Sequence, residues 1–82
     1  MKTVWYSPDA FKSLRRYGNV ADRARKAVRE YAAETGAHAN NVTRLVGSTA
    51  CRLRIGDYRV IFEESETEIV VTRFGPRGDV YD

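Results

Sequence analysis

The stretch that decides the fold is residues 51–62, Cys51-Arg52-Leu53-Arg54-Ile55-Gly56-Asp57-Tyr58-Arg59-Val60-Ile61-Phe62. Apolar and polar residues alternate on both sides of Gly56-Asp57, a two-residue turn signal, so the stretch reads as a β-hairpin. With Gly56 and Asp57 as the loop, Ile55 pairs with Tyr58, Arg54 with Arg59, Leu53 with Val60 and Arg52 with Ile61. Cys51, Leu53, Ile55, Tyr58, Val60 and Phe62 then share one face, which must be a core face. Arg52, Arg54 and Arg59 share the other. Like charges directly opposite across a hairpin are destabilising, so Arg54 against Arg59 calls for acidic neighbours or an anionic ligand.

Outward from the hairpin, the period tells helix from strand. Thr3 to Tyr6 is a short β-branched and aromatic run that stops at Ser7-Pro8-Asp9, where Ser caps a helix and Pro fits its first turn. Ala10, Phe11, Leu14 and Tyr17 recur at helical spacing, so a first helix buries that stripe and ends at Gly18. Asn19 can cap a second helix, with Val20, Ala24, Ala27, Val28 and Tyr31 as its stripe and Gly36 as its stop. Residues 37–41 read as a loop and Thr43 to Val46 as a short strand. Glu63 to Glu68 forms an acidic turn region, and Ile69 to Phe74 is the last strand. The order is β-α-α-β-β-β-β. It predicts an α+β domain with a two-helix hairpin packed on one face of a mostly antiparallel sheet.

Length and composition set the outer bounds. The 82 residues make one domain spanning 1–82, and 43% hydrophobic with 30% charged residues is too apolar for a disordered tail. A lone cysteine, Cys51, excludes an intrachain disulfide; it alternates with core positions and reads as a small buried apolar residue rather than a nucleophile. No apolar run reaches the roughly 18 residues of a membrane span, and the start lacks a signal-like apolar stretch, so the expected location is the cytoplasm. The net charge of +3 is modest. The 14 basic residues, however, include 11 arginines. Residues 43–82 hold 6 basic and 7 acidic side chains, so the arginines of the sheet half are sorted by face rather than merely abundant.

That sorting points to a phosphate site, because a guanidinium stays charged and presents its donors in a fixed fork. Arg73, near the end of the last strand, and Arg77, just beyond it, join the same surface if that strand lies beside the hairpin. Gly75 and Gly78 would set the turn that presents Arg77. Tyr81 is placed to stack on an unpaired base. The alternative is a solvated outer face paired with carboxylates such as Glu63. His38, the one histidine, lies in a polar loop and reads as a surface residue. No metal-ligand spacing is present and no cofactor is expected. Tyr6, Tyr17, Tyr31 and Tyr58 fall on core stripes, while Trp5 fits either the core or a strand edge.

Arg44-Leu45-Val46-Gly47, then residues 51–62, then Phe74-Gly75-Pro76-Arg77-Gly78-Asp79-Val80-Tyr81 together resemble the RelE/ParE superfamily of toxins from type II toxin-antitoxin systems. The resemblance covers nearly the whole chain. It implies a strand, a helical hairpin and an antiparallel sheet whose open face is the working surface. The RelE branch cuts mRNA on the ribosome without a metal, and the ParE branch poisons DNA gyrase on the same fold. Basic sheet residues, an arginine after the hairpin turn, an arginine after the last strand and a C-terminal tyrosine mark the ribonuclease branch. Their counterparts are Arg52 and Arg54, Arg59, Arg77 and Tyr81. The resemblance thus implies an mRNA endoribonuclease with Arg54, Arg59, Arg77 and Tyr81 catalytic and Arg52, Arg54 and Arg73 binding RNA. Its partners would be a cognate antitoxin, the ribosome and mRNA, with DNA gyrase as the alternative target. The best-known member has lysines where Arg52 and Arg54 stand. An arginine above about pKa 12 suits phosphate binding better than proton abstraction, so either Glu63 or Glu64 substitutes as the base or the ribosome does much of the orientation.

Overall fold

The computed structural model describes residues 1–34, 36, 38–76 and 78. Five strands, β1 (Thr3–Tyr6), β2 (Val42–Arg44), β3 (Ala50–Ile55), β4 (Tyr58–Glu64) and β5 (Glu68–Pro76), form one sheet in the order β1-β5-β4-β3-β2. Two helices, α1 (Pro8–Arg16) and α2 (Gly18–Ala33), cover one side of it. The α+β architecture is the expected one. Three of the four strand pairings are antiparallel, and β1 lies parallel to β5. Helices carry the chain across the sheet between β1 and the hairpin strands, and this lets the first strand sit beside the last.

Local chemistry sets the helix limits. Ser7 is extended and its hydroxyl accepts from the Ala10 amide at 3.1 Å, while Pro8 opens α1 and Asp9 sits in its first turn, against Arg15 and Arg16 in the last. Gly18 does not stop α1 as expected. It is the first residue of α2, so Tyr17 alone joins the helices and Asn19 lies inside the second. Tyr17 packs edge-on against Tyr58 and Phe74, with centroids 5.5 and 6.2 Å away, and this anchors the joint to the sheet. On α2 the buried Ala21, Ala24, Ala27 and Ala32 keep side chains short and let the helix lie close to the strands. Phe11, expected in the α1 stripe, is instead about half exposed, because Ala10 and Leu14 alone fill the contact with the sheet.

The hairpin register matches the expected one at all four pairs, and two further pairs extend it through Cys51 with Phe62 to Ala50 with Glu63. Gly56 turns with φ near 59°, the glycine-first pattern of a II′ turn. Strand β2 begins and ends earlier than expected, at Val42 and Arg44, and β5 runs on to Pro76. The helix-facing side of the sheet carries Cys51, Leu53, Ile55, Val60, Phe62, Ile69, Val71 and Phe74 in one core with both helices.

Candidate nucleic-acid interface

The sheet side away from the helices carries the arginines. Arg52, Ile61 and Arg73 stand in one cross-strand row, and Arg54, Arg59 and Gly75 stand in the next. The rows are about 7 Å apart. Arg73 reaches this lattice through a β-bulge. Strict alternation from Ile69 and Val71 would turn Arg73 into the core and Phe74 out to solvent. Thr72 is instead an extra residue, with Phe62 opposite Val71 and Ile61 opposite Arg73, so Arg73 faces out and Phe74 is 3% exposed. Ser7 donates to the Thr72 carbonyl at 3.0 Å, and the Thr72 hydroxyl donates to the Ile61 carbonyl at 3.2 Å. Both bonds hold the bulge in place.

Within the lattice the arginines differ. Arg54 and Arg73 are exposed and Arg52 is half-buried. Arg59 is 8% exposed, contrary to the expectation of an open residue. Its Nη1 donates to the carbonyls of Gly56 and Tyr58 at 3.1 and 3.0 Å, its Nε is buried without a partner, and its Nη2 donates to nothing among the described residues. Arg54 turns the other way and donates to Asn41 Oδ1 at 3.5 Å. The like-charged pair is thus relieved by neutral oxygens, not by carboxylates. Among the described residues no carboxylate pairs with Arg54, Arg59 or Arg73, so their charge stays uncompensated.

The carboxylates are elsewhere. Glu63 shares the open face but accepts from the Thr49 hydroxyl at 3.1 Å, roughly 13 Å along β4 from Arg59. Glu64 points to the helix side, where Lys2 and the Tyr31 hydroxyl bind it. Burial pushes the Glu64 carboxyl up, but the bonds from Lys2 and Tyr31 outweigh it and its pKa lies below the usual value. Burial, then the bond to Glu64, pushes the Tyr31 phenol up. Glu64 is therefore a structural partner, not the open-face base considered from the sequence. Cys51 is buried as expected, and burial raises its thiol. Trp5 is 54% exposed on the open face, its indole donating to Glu68 at 2.7 Å. Arg77 and Tyr81 lie outside the described residues. Among the described residues no group of three metal-ligating side chains occurs.

One loop feature was not legible in the sequence. His38 takes a left-handed φ of 61° and meets Glu30 at 2.8 Å, tying the loop after α2 back to that helix; the bond from His38 holds the Glu30 carboxyl below its ordinary pKa.

The chain folds like several solved toxins. The RelE-RelB complex from Pyrococcus horikoshii OT3 aligns with a TM-score of 0.77 at 23% identity, over 96% of this chain and 98% of that one. The RelB-RelE complex from Methanococcus jannaschii gives 0.76 at 20% identity over 95% of each chain. The intact E. coli RelBE complex gives 0.75 at 18% identity, over 93% and 96%. At these identities the likeness shows a common fold. A search of curated protein sequences returns no match. The model of the ParE toxin of type II toxin-antitoxin systems matches residues 4–81, so the chain belongs to that toxin family, within the RelE/ParE superfamily.

Proposed function

We propose that this toxin binds single-stranded RNA across the open sheet face and cuts mRNA on the ribosome, with no cofactor. The carrying observation is the two-row lattice of Arg52, Arg54, Arg59 and Arg73, in which Arg54, Arg59 and Arg73 lack a carboxylate partner among the described residues. Arg52, Arg54 and Arg73 hold backbone phosphates, and such contacts set affinity and register. In the cleavage step the 2′-hydroxyl gives its proton to water or to a ribosomal group as its oxygen attacks phosphorus, the bond to the 5′-oxygen breaks to leave a 2′,3′-cyclic phosphate, and the 5′-oxygen takes a proton from water. Arg59, fixed by its own turn, and Arg54 stabilise the charge that develops on the phosphoryl oxygens. From the family resemblance, Arg77 adds to that charge stabilisation and Tyr81 stacks on a base. Arginines do not remove the 2′-proton. Glu64 is occupied and Glu63 is remote, so orientation of the 2′-hydroxyl falls to the ribosome and the tail.

Relatives of this fold are solved with an antitoxin, as RelE with RelB. An acidic antitoxin segment laid on the arginine lattice would neutralise the toxin here. With mRNA and ribosomes as targets, the protein works in the cytoplasm; no helix among the described residues is long and apolar enough to cross a membrane.

Primer extension on an mRNA, with and without ribosomes, tests the reading. Cuts at the ribosomal A site are expected only with ribosomes, and Arg59→Ala should slow them by about 10²-fold. Intact mRNA at micromolar protein overturns it. The second reading, a gyrase poison, has in its favour the ParE description of the family and the absence of a free base on the lattice among the described residues. It predicts accumulated DNA cleavage complexes with translation spared.

A further inference from the structure

A groove of about 350 Å³ runs along the flank of the sheet between α2 and the tip of the β3–β4 hairpin. Arg23, Lys26 and Glu30 line it from α2, Arg54 from β3, and His38 and Asn41 from the loop between. Arg23 and Lys26 are three apart, so they project from one side of the helix. The Arg23 Nη2 lies 3.7 Å from where a Cβ on Gly56 would stand, which brings that guanidinium to the hairpin turn. Three cations from two elements thus meet in one depression. Among the described residues Glu30 is the one carboxylate that lines it, and it is engaged by His38 at 2.8 Å. Neither Arg23, Lys26 nor Arg54 has an ion-pair partner among the described residues. Cations gathered in this way repel one another, and the single charge of Glu30, which Lys26 helps to keep ionised, offsets only part of that repulsion, so a further anion is favoured.

Arg54 belongs to both sites. It stands in the lattice row opposite Arg59, and its head turns over the sheet edge to Asn41 in the groove. We propose that the groove is a second phosphate site, which holds the backbone of the RNA strand as it leaves the open face over β3. This rests on the RNA-binding reading above and extends it: the strand is bound along a continuous path, with Arg54 at the crest between the two parts. The groove reads backbone charge and not base identity.

Fluorescence anisotropy of labelled single-stranded RNA of about 4 and about 12 nucleotides, across a salt series, tests it with the full chain. Arg23→Gln combined with Lys26→Gln removes two exposed charges outside the lattice. The longer RNA should bind roughly tenfold more weakly to this variant, with a salt slope lowered by about 1.4, two contacts at about 0.7 each. The shorter RNA should bind both proteins alike. An unchanged affinity and slope for the longer RNA overturns the groove while leaving the open face standing. Equal loss on both lengths, or a mononucleotide competing as well as the longer RNA, overturns the continuous path. If the wild-type chain binds neither RNA, the RNA reading itself falls and the groove assignment with it.

Discussion

The two sides of the same sheet obey opposite rules. On the helix side, alternate residues of β3, β4 and β5 are driven together by burial: Leu53, Val60, Phe62, Ile69 and Val71 are each 1% exposed or less. Tyr17, Tyr58 and Phe74 close the core at the hairpin end, with Tyr58 stacked on Phe74 at 5.6 Å. On the open side the intervening residues bring together Arg52, Arg54, Arg59 and Arg73 around a buried Ile61. That arrangement costs repulsion, and the described structure offsets it with backbone and amide oxygens. Stability therefore resides on one side and gathered positive charge on the other; on the function proposed above, substitutions on the two sides should separate stability from RNA binding.

Phe62→Ala should have the largest effect, a loss of about 3–5 kcal/mol in urea unfolding, because it opens a cavity in the middle of the core. A loss under about 1 kcal/mol would show that the helix side does not dominate stability. Next comes deletion of Thr72. Removing the extra residue restores regular alternation and still leaves Val71 and Phe74 inward and Arg73 outward. The expected cost is the bonds with Ser7 and Ile61, about 1–3 kcal/mol. Collapse of the fold would mean that the bulge does more than correct the phase. Arg59→Met should change stability by no more than about 1 kcal/mol, or raise it, since a buried charge with an unpartnered Nε gives way to an apolar chain of similar length. The same variant should lose RNA affinity. A cost matching Phe62→Ala would erase the contrast between the sides.

The smallest effect belongs to Glu64→Gln, about 1 kcal/mol at neutral pH, because the amide keeps an acceptor oxygen for Lys2 and Tyr31 and loses only the charge. Glu64 has a folded pKa below its ordinary 4.5, so its contribution is present above that value and fades as pH falls through the folded pKa. Thermal melts of the variant should show a shallower decline than the wild type in acid. Parallel declines would mean that Lys2 and Tyr31 hold Glu64 without coupling to folding.

The hairpin was fully legible from its alternation because a two-residue turn fixes register and each side of each strand has one chemistry. The bulge was not. In Ile69-Val70-Val71-Thr72-Arg73-Phe74 the shift of phase is marked by the adjacent Val70 and Val71 and by Phe74 following Arg73, a pattern that only the need to bury Phe74 resolves. The arginine cluster was legible as a set of positions, and the structure brings Arg52, Arg54, Arg59 and Arg73 to one face. The burial of Arg59 was hidden, since its partners are carbonyls of its own turn and every residue supplies those. The link of Glu64 to Lys2 and Tyr31 spans most of the chain, and local spacing carries no signal of it. Phe11 shows the reverse failure: helical spacing marks a stripe, but not how wide the contact beneath it is.

The parallel pairing of the first strand with the last has a consequence for vectorial synthesis. Strand β5 lies between β1 and β4, and the bonds from Thr3 to Thr67 and from Ser7 to Val71 wait on residues that emerge late. A nascent chain halted before Glu68 has no partner for β1, no bulge and no Arg73 on its surface. Sheet closure must span almost the whole sequence, which raises contact order and delays folding until translation of this segment is over. A chain built this way cannot close the sheet that carries Arg73 until this last segment has been made.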